Sequence, residues 1–447
     1  MAIFPDKHYS SRILQIAVPA IAGLSSQMLV SIIDTAMIGR LDHSEVALAA
    51  MGLGVLATWT LTSFFSSLAT GTHVLVARRY GQGKHTAAGI VLNNSLALSL
   101  LLGLAFGFIG YYYAYQFIGF FSSDDRVARA AAEYIKFRSL GLPFFLLAVS
   151  YRGFFFGIGH TKVFMFSAIV SYFFNIVFNY LLIFGVWGFP RMGLAGAGLA
   201  ASIGMFLGLI FFILVTFLPV YRKKYKYYDM IVVGIKHILP VIRIALPVSF
   251  QNILILFGFL VFVAIAGIFG TLQQAATQVV ITALFLSFMP CFGFGIATQT
   301  LVGNALGDNA PKEAYRYGVE TAKIATIFTL CLGALFTAFP GAILSVITTN
   351  REVVTVARPL LMLAGIAQIA YGSGIILANG LQAAGATVFV MFLEVITHWI
   401  VFLPLAYFLG TRFGIFGAWM ALPIYILAYS TMAWIRFRSG SWMEMKV

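Results

Sequence analysis

The chain has 447 residues, of which 61% are hydrophobic and only 9% charged, and it carries a net charge of +14. Soluble globular domains carry about 25% charged residues, so this composition excludes a soluble enzyme or an extramembrane binding module. With a mean hydropathy of +0.96, the chain reads as an all-α polytopic membrane protein with about twelve spans of ~20–25 residues joined by short loops.

Apolar runs predict helices over roughly 13–38, 45–73, 87–113, 130–157, 163–185 and 194–219 in the first half. In the second half they fall over 240–268, 272–301, 318–346, 355–383, 388–410 and 415–437. The first run is too long for a signal peptide and lacks a small-residue exit, so it reads as a spanning helix. Between the halves lies the longest polar break, 221–237, which begins Tyr221-Arg222-Lys223-Lys224. The expected organisation is therefore an N-terminal six-helix lobe over 1–220, a cytoplasmic linker over 221–237 and a C-terminal six-helix lobe over 238–447.

The positive charge is a topology signal rather than a nucleic-acid footprint. Lys and Arg collect on alternate loops, nineteen of the 28 on the side that carries Arg78, Arg79, Arg152, Lys162 and the 221–237 break. The minority side holds Arg40, Arg126, Arg129, Lys136, Arg138, Arg191, Arg351, Arg358 and Arg412. The positive-inside rule puts both termini and the linker in the cytoplasm, in the cell (inner) membrane. Cys291 and Cys331 both fall in predicted spans and offer neither a disulfide framework nor metal spacing.

The halves repeat one another. Ala17-Val18-Pro19 matches Ala245-Leu246-Pro247, and Thr72-His73-Val74 matches Thr298-Gln299-Thr300. Gly159-His160-Thr161 matches Gly385-Ala386-Thr387, and Gly196-Ala197 matches Gly417-Ala418. A unit with an even number of spans repeats in parallel, and in parallel-repeat transporters the binding sites lie at or between the repeats.

Asp34 lies in the first apolar run, about 6–8 Å below its outer end by helical rise. A carboxylate in hydrocarbon costs at least ~2.5–3.5 kcal/mol unless it faces protein or water, so Asp34 is a functional candidate. Asn175 and Asn179 are one turn apart on the fifth helix, with Asn179 about 9 Å deep. Ser202 on the sixth helix lies about 12 Å deep. The common level predicts a proton or cation pocket formed by Asp34, Asn175, Asn179 and Ser202. Two Asn at this spacing also serve as interhelical glue, and Ser202 follows a small-residue run that suits close packing. Burial disfavours a charged carboxylate, so a proton can compete for it, and its protonation would let the helices repack. In the second half Glu394 lies roughly 9 Å inside its helix with His398 one turn on, near enough to the cytoplasmic end to reach water instead. With Tyr371 and Gln368 they form the second-half candidate set.

Across its whole length the chain resembles the multidrug and toxic compound extrusion (MATE) transporters, most closely their DinF-like branch. The resemblance is carried by Pro19, Asp34-Thr35-Ala36-Met37-Ile38-Gly39-Arg40-Leu41 and Leu48-Ala49-Ala50-Met51-Gly52. It continues through Arg152-Gly153, Gly157-Ile158-Gly159-His160-Thr161-Lys162, Asn175-Ile176-Val177-Phe178-Asn179 and Gly193-Leu194-Ala195-Gly196-Ala197. It implies two six-helix lobes around a cleft, cation-coupled export of amphipathic organic cations and a coupling carboxylate at Asp34. DinF-like relatives usually carry a second Asp where this chain has Asn179, which favours protons over sodium as the coupling ion. A related branch places acidic residues near Ile255 and Tyr371, and neither is acidic here.

The expected function is thus that of a monomeric, proton-driven antiporter of cationic drugs by alternating access, with no bound cofactor, no enzymatic activity and no nucleic-acid partner. A flippase for lipid-linked precursors would need basic residues deep in the first half, and none is apparent in the predicted spans. A membrane-embedded enzyme would rest on Glu394 and His398 alone. A channel would need a filter-like re-entrant segment, which the spans lack.

Overall fold

The computed structural model describes residues 4–41, 44–121 and 124–445; Lys446, counted above with the cytoplasmic charges, lies outside them. Every described element is helical, as expected where lipid offers no partner to exposed main-chain groups. In chain order the helices are α1 (Lys7–Ile38), α2 (Ser44–Gly81), α3 (His85–Tyr112), α4 (Ala114–Gly119), α5 (Asp125–Ser139), α6 (Leu142–Gly157), α7 (Thr161–Phe184), α8 (Gly193–Phe217) and α9 (Pro219–Tyr225). They continue as α10 (Ile235–Ile268), α11 (Thr271–Gly307), α12 (Pro311–Ala338), α13 (Pro340–Ile347), α14 (Arg351–Ala383), α15 (Thr387–Val395), a π-helical turn (Ile396–Phe402) and α16 (Leu403–Arg438).

Among the described residues ten helices are long and apolar enough to cross a bilayer, and α5 with α6 make an eleventh span bent by 50°. The last of the ten, Thr387–Arg438, runs for 52 residues, or ~78 Å at 1.5 Å per residue, more than twice a ~30 Å hydrocarbon core. It breaks at Phe413 and Gly414, whose φ values are −124° and +65°. It is therefore two spans, and the total is the expected twelve.

The internal duplication is visible in the backbone. Gly83 and Asn309, both at positive φ, follow α2 and α11; Gly159 and Gly385, at +77° and +93°, precede α7 and α15. Asp124 and Asn350 cap α5 and α14 through their side chains. Each second-half member lies 226 residues after its counterpart. These are the positions where a short turn needs the left-handed conformation or a helix start needs an acceptor, so the repeat preserved turn and cap chemistry.

Two compact units result. One comprises Met1–Ile21 with Pro247–Val447, the other Ala22–Leu246. The cuts fall inside α1 and α10, just after Pro19 and just before Pro247, rather than within 221–237. In the first unit Tyr9, Ile13, Ile16 and Ala17 of α1 pack with Phe294, Leu301 and Tyr317. In the second, Ala245 of α10 packs with Phe65, Leu68 and Leu146. The 221–237 segment is docked rather than loose: Asn93 Nδ2 donates to the Tyr227 carbonyl at 2.8 Å, and Asn94 Nδ2 to the Val232 carbonyl at 2.7 Å. Many large apolar side chains, such as Leu101, Ile268 and Ile400, remain exposed, as a lipid-facing surface requires.

Candidate functional site

In the unit Ala22–Leu246, Asp34 sits on the last turns of α1 and is half-buried. Asn179 of α7 is fully buried, and its Nδ2 donates to Asp34 Oδ1 at 2.6 Å. The same nitrogen donates its other hydrogen to Asn175 Oδ1 at 3.1 Å. Both amide donors of Asn179 are thus used, and the orientation of the amide is fixed by its two acceptors. Asp34, Asn175 and Asn179 form one chain of polar groups, as their matched depths imply.

Ser202 is directed elsewhere. Its hydroxyl lies 2.7 Å from the Phe137 carbonyl and 3.3 Å from the Arg138 carbonyl, on the last turn of α5. The Arg138 carbonyl also accepts the Gly141 N–H at 3.1 Å, where α5 ends at the 50° bend into α6. Ser202 ties α8 to that bend, and an added Cβ on Gly141 would come within 2.6 Å of its hydroxyl oxygen. Of the four predicted pocket residues, three are brought together and one secures the neighbouring helix end.

Arg138 was read from the sequence as an outer-loop charge, but it sits at the bend. The helix begins at Asp125, capped by Asp124, which carries Arg138 about 20 Å along the span. Its charge acts on Asp34 and on Tyr172. Arg152, on α6, also acts on Tyr172 and lies 5.8 Å from the centroid of the Phe164 ring. The expectation of a first half without deep basic residues is therefore corrected: Arg138 and Arg152 both lie on the helices of the bent span rather than in loops.

In the other unit, Glu394 and His398 are both buried. Glu394 Oε1 accepts from the Tyr425 hydroxyl at 2.6 Å and lies 3.6 Å from His398 Nδ1. Glu394 therefore does not reach water, contrary to its apparently shallow position. Gln368 Oε1 accepts from Ser287 at 2.7 Å, and the charges of Tyr371 and Glu394 act on one another. Sequence reasoning missed an amide ladder: Gln299 Nε2 donates to Asn379 Oδ1 at 2.8 Å and to Gln382 Oε1 at 2.9 Å, and Gln382 Nε2 to Gln251 Oε1 at 3.2 Å. Gln299 belongs to the repeated Thr298-Gln299-Thr300 motif, which was the available signal.

This architecture has known relatives. The MatE family model matches the chain twice, over residues 19–181 and 247–408, one match per repeat. The chain is 25% identical over 445 residues to the Probable multidrug resistance protein NorM of Thermotoga maritima, covering 97% of this chain and 93% of the relative. It is 25% identical over 442 residues to the Multidrug resistance protein PmpM of Pseudomonas aeruginosa, covering 95% and 90%. Among solved structures, a MOP superfamily transporter from Pyrococcus furiosus, described as having a binding pocket of reversed polarity, superposes with a TM-score of 0.88 at 18% identity over 96% of this chain and 95% of that one. Twelve spans in two copies, an intramembrane carboxylate held by a buried amide, and a family model matched in both copies lead to one conclusion: the chain belongs to the MatE family of membrane transporters.

Proposed function

We propose that the chain is a proton-coupled antiporter that exports amphipathic organic cations by alternating access, with Asp34 as the coupling carboxylate. The observation that carries this reading is the bond from Asn179 to Asp34. A neutral amide donor satisfies one carboxylate oxygen directly, so Asp34 needs no bound metal ion to be held in place. A sodium site would call for more anionic oxygen than this one carboxylate supplies. The substrate class follows from the negative charge of Asp34, the aromatic residues of the spans and the names of relatives such as PmpM.

Arg138 supplies the exchange logic. With Asp34 ionised, the two charges offset one another and a cationic cargo is tolerated. Once Asp34 is protonated, the charge of Arg138 is uncompensated and repels the cargo. Proton binding and cation binding then exclude each other, which is the requirement for antiport. We place the transporter in the cell (inner) membrane as a monomer with both termini cytoplasmic, on the distribution of Lys and Arg.

A second reading has a specific observation in its favour. Arg138 and Arg152 inside this unit could grip phosphate, as a lipid-linked precursor flippase would require. Reconstituted vesicles separate the two. Dye transport should follow a proton gradient, ignore a sodium gradient and be lost in Asp34→Asn protein that inserts normally. Normal efflux by Asp34→Asn would remove Asp34 from coupling, and binding of anionic lipid-linked molecules alone would favour the flippase.

A further inference from the structure

We propose that Glu394 and His398 form a second proton-binding site, built inside the unit Met1–Ile21 with Pro247–Val447, in which an imidazolium is held by a carboxylate and an aromatic cage. The site deepens the proton-coupled reading above by adding a place for a second proton.

The geometry starts from the π-helical turn Ile396–Phe402. π-turns are uncommon and recur at functional positions. Glu394 lies one turn before His398, on the last turn of α15, and His398 Nδ1 stands 3.6 Å from Glu394 Oε1 with both side chains almost wholly withdrawn from solvent. Among the described residues neither ring nitrogen of His398 has a hydrogen-bond partner. Either tautomer of the neutral ring leaves at least one buried ring nitrogen unmet. The protonated ring turns a charged N–H toward the Glu394 carboxylate, an attraction the neutral ring lacks, and its charge lies among aromatic rings.

Those π-systems are in place. Phe259, Phe402 and Tyr425 stand edge-to-face around His398, with ring centroids 5.4, 5.2 and 5.2 Å away. The Nε2 edge of the ring packs against Gly258 of α10, where an added Cβ would collide with it. Only glycine leaves room for this approach, so the fold holds a space for His398. Glu394 Oε1 also accepts the Tyr425 hydroxyl at 2.6 Å, which stabilises the ionised carboxylate that an imidazolium needs.

The groups that face the pair are few. α14 contributes Tyr371, α16 contributes Tyr425 and Tyr429, α11 contributes Cys291 beside Tyr371, and α10 contributes the apolar Phe259 and Gly258. Among the described residues the Tyr429 hydroxyl is buried without a hydrogen-bond partner. Among them, too, no guanidinium or ammonium acts on these tyrosines. The pair holds one proton as the caged ion pair.

Infrared difference spectroscopy on the purified full chain in lipid nanodiscs, between about pH 8 and about pH 5, tests this without any transport. The expected spectrum shows imidazolium bands at acid pH that are lost in His398→Gln and retained in Asp34→Asn, with a buried carboxylate band lost in Glu394→Gln. Should Glu394→Gln fold poorly, Tyr425→Phe removes only the hydroxyl, and the carboxylate band should shift. In vesicles, Glu394→Gln should lower the number of protons moved per cargo. Difference spectra unchanged by Glu394→Gln, His398→Gln and Tyr425→Phe would overturn the site. Intact spectra with sodium-driven transport would instead leave the site standing and remove proton coupling.

Discussion

Asn179 holds Asp34 with one hydrogen of its side-chain amide at 2.6 Å and Asn175 with the other at 3.1 Å, so a single buried amide sets the geometry of the intramembrane carboxylate. Asn179→Asp removes the donor and leaves two carboxyl oxygens in contact. Two carboxylates at that distance cannot both ionise, and one proton or cation must bridge them. The variant should therefore retain transport only where a bridging ion is supplied, and sodium should now stimulate efflux. Comparing dye efflux with and without sodium at fixed pH checks this; efflux equally indifferent to sodium in both proteins would contradict it.

Ser202→Ala should leave coupling intact and lower stability. The hydroxyl satisfies terminal carbonyls of α5 at the bend rather than Asp34. Interhelical hydrogen bonds in membrane proteins average ~0.6 kcal/mol, and a buried carbonyl left without its donor costs ~1 kcal/mol or more. We expect a melting temperature in detergent a few degrees lower, with unchanged pH dependence of efflux. Loss of coupling without loss of stability would move Ser202 back into the pocket.

The twelve spans were legible because membrane helices need ~20 apolar residues each, and the chain supplies them in sequence order. The duplication was legible because short motifs such as Ala17-Val18-Pro19 and Ala245-Leu246-Pro247 recur in the same order at a nearly constant offset. The site was half legible. Helical rise gives depth, which put Asn179 level with Asp34, and the one-turn spacing put Asn175 on the same face as Asn179; the three are joined by hydrogen bonds. Rise does not give direction around the helix axis, so Ser202 matched in depth while its hydroxyl turned to α5. Arg138 was hidden by the amphipathic character of α5, whose early turns carry Asp125, Arg126 and Arg129 and read as loop. Glu394 looked shallow because its partner Tyr425 lies 31 residues on, across the break at Phe413 and Gly414. The π-turn has no sequence signature that the apolar pattern could show.

The docked segment after α8 offers a pH test outside the spans. His160 Nδ1 lies 2.7 Å from the Tyr221 hydroxyl, and surrounding protein, with Lys224 adding to it, holds this imidazole below its ordinary range. The undocked segment would release His160 to bind a proton more readily. Docking is therefore strongest above the ordinary imidazole pKa of ~6.5 and weakens as pH falls below it. Hydrogen exchange over 219–233, corrected for intrinsic rates, should be faster at about pH 5 than at about pH 8. His160→Gln should flatten that difference. Equal protection of the native chain at both pH values would contradict the link.

Arg138→Gln tests the exchange logic most directly. In the native chain, protonation of Asp34 leaves Arg138 uncompensated, so acid should expel a cationic cargo. Two unit charges about 8 Å apart at an effective dielectric of 20 repel by roughly 2 kcal/mol, or about thirtyfold in affinity. Removing the guanidinium should tighten cation binding by up to about thirtyfold at alkaline and acid pH alike, because the same repulsion is lost whichever form Asp34 takes. The pH dependence set by Asp34 should persist, while the cargo stays bound at acid pH where the native protein has released it. Export should therefore slow in the variant. Fluorescent-dye titrations across pH on purified protein measure both limbs. Unaltered dye affinity at both pH limits in a folded Arg138→Gln protein would show that Arg138 does not act on the cargo. Tighter binding of anionic amphipaths to the native protein, lost with Arg138→Gln, would instead make this guanidinium a cargo ligand and favour the phosphate-binding reading.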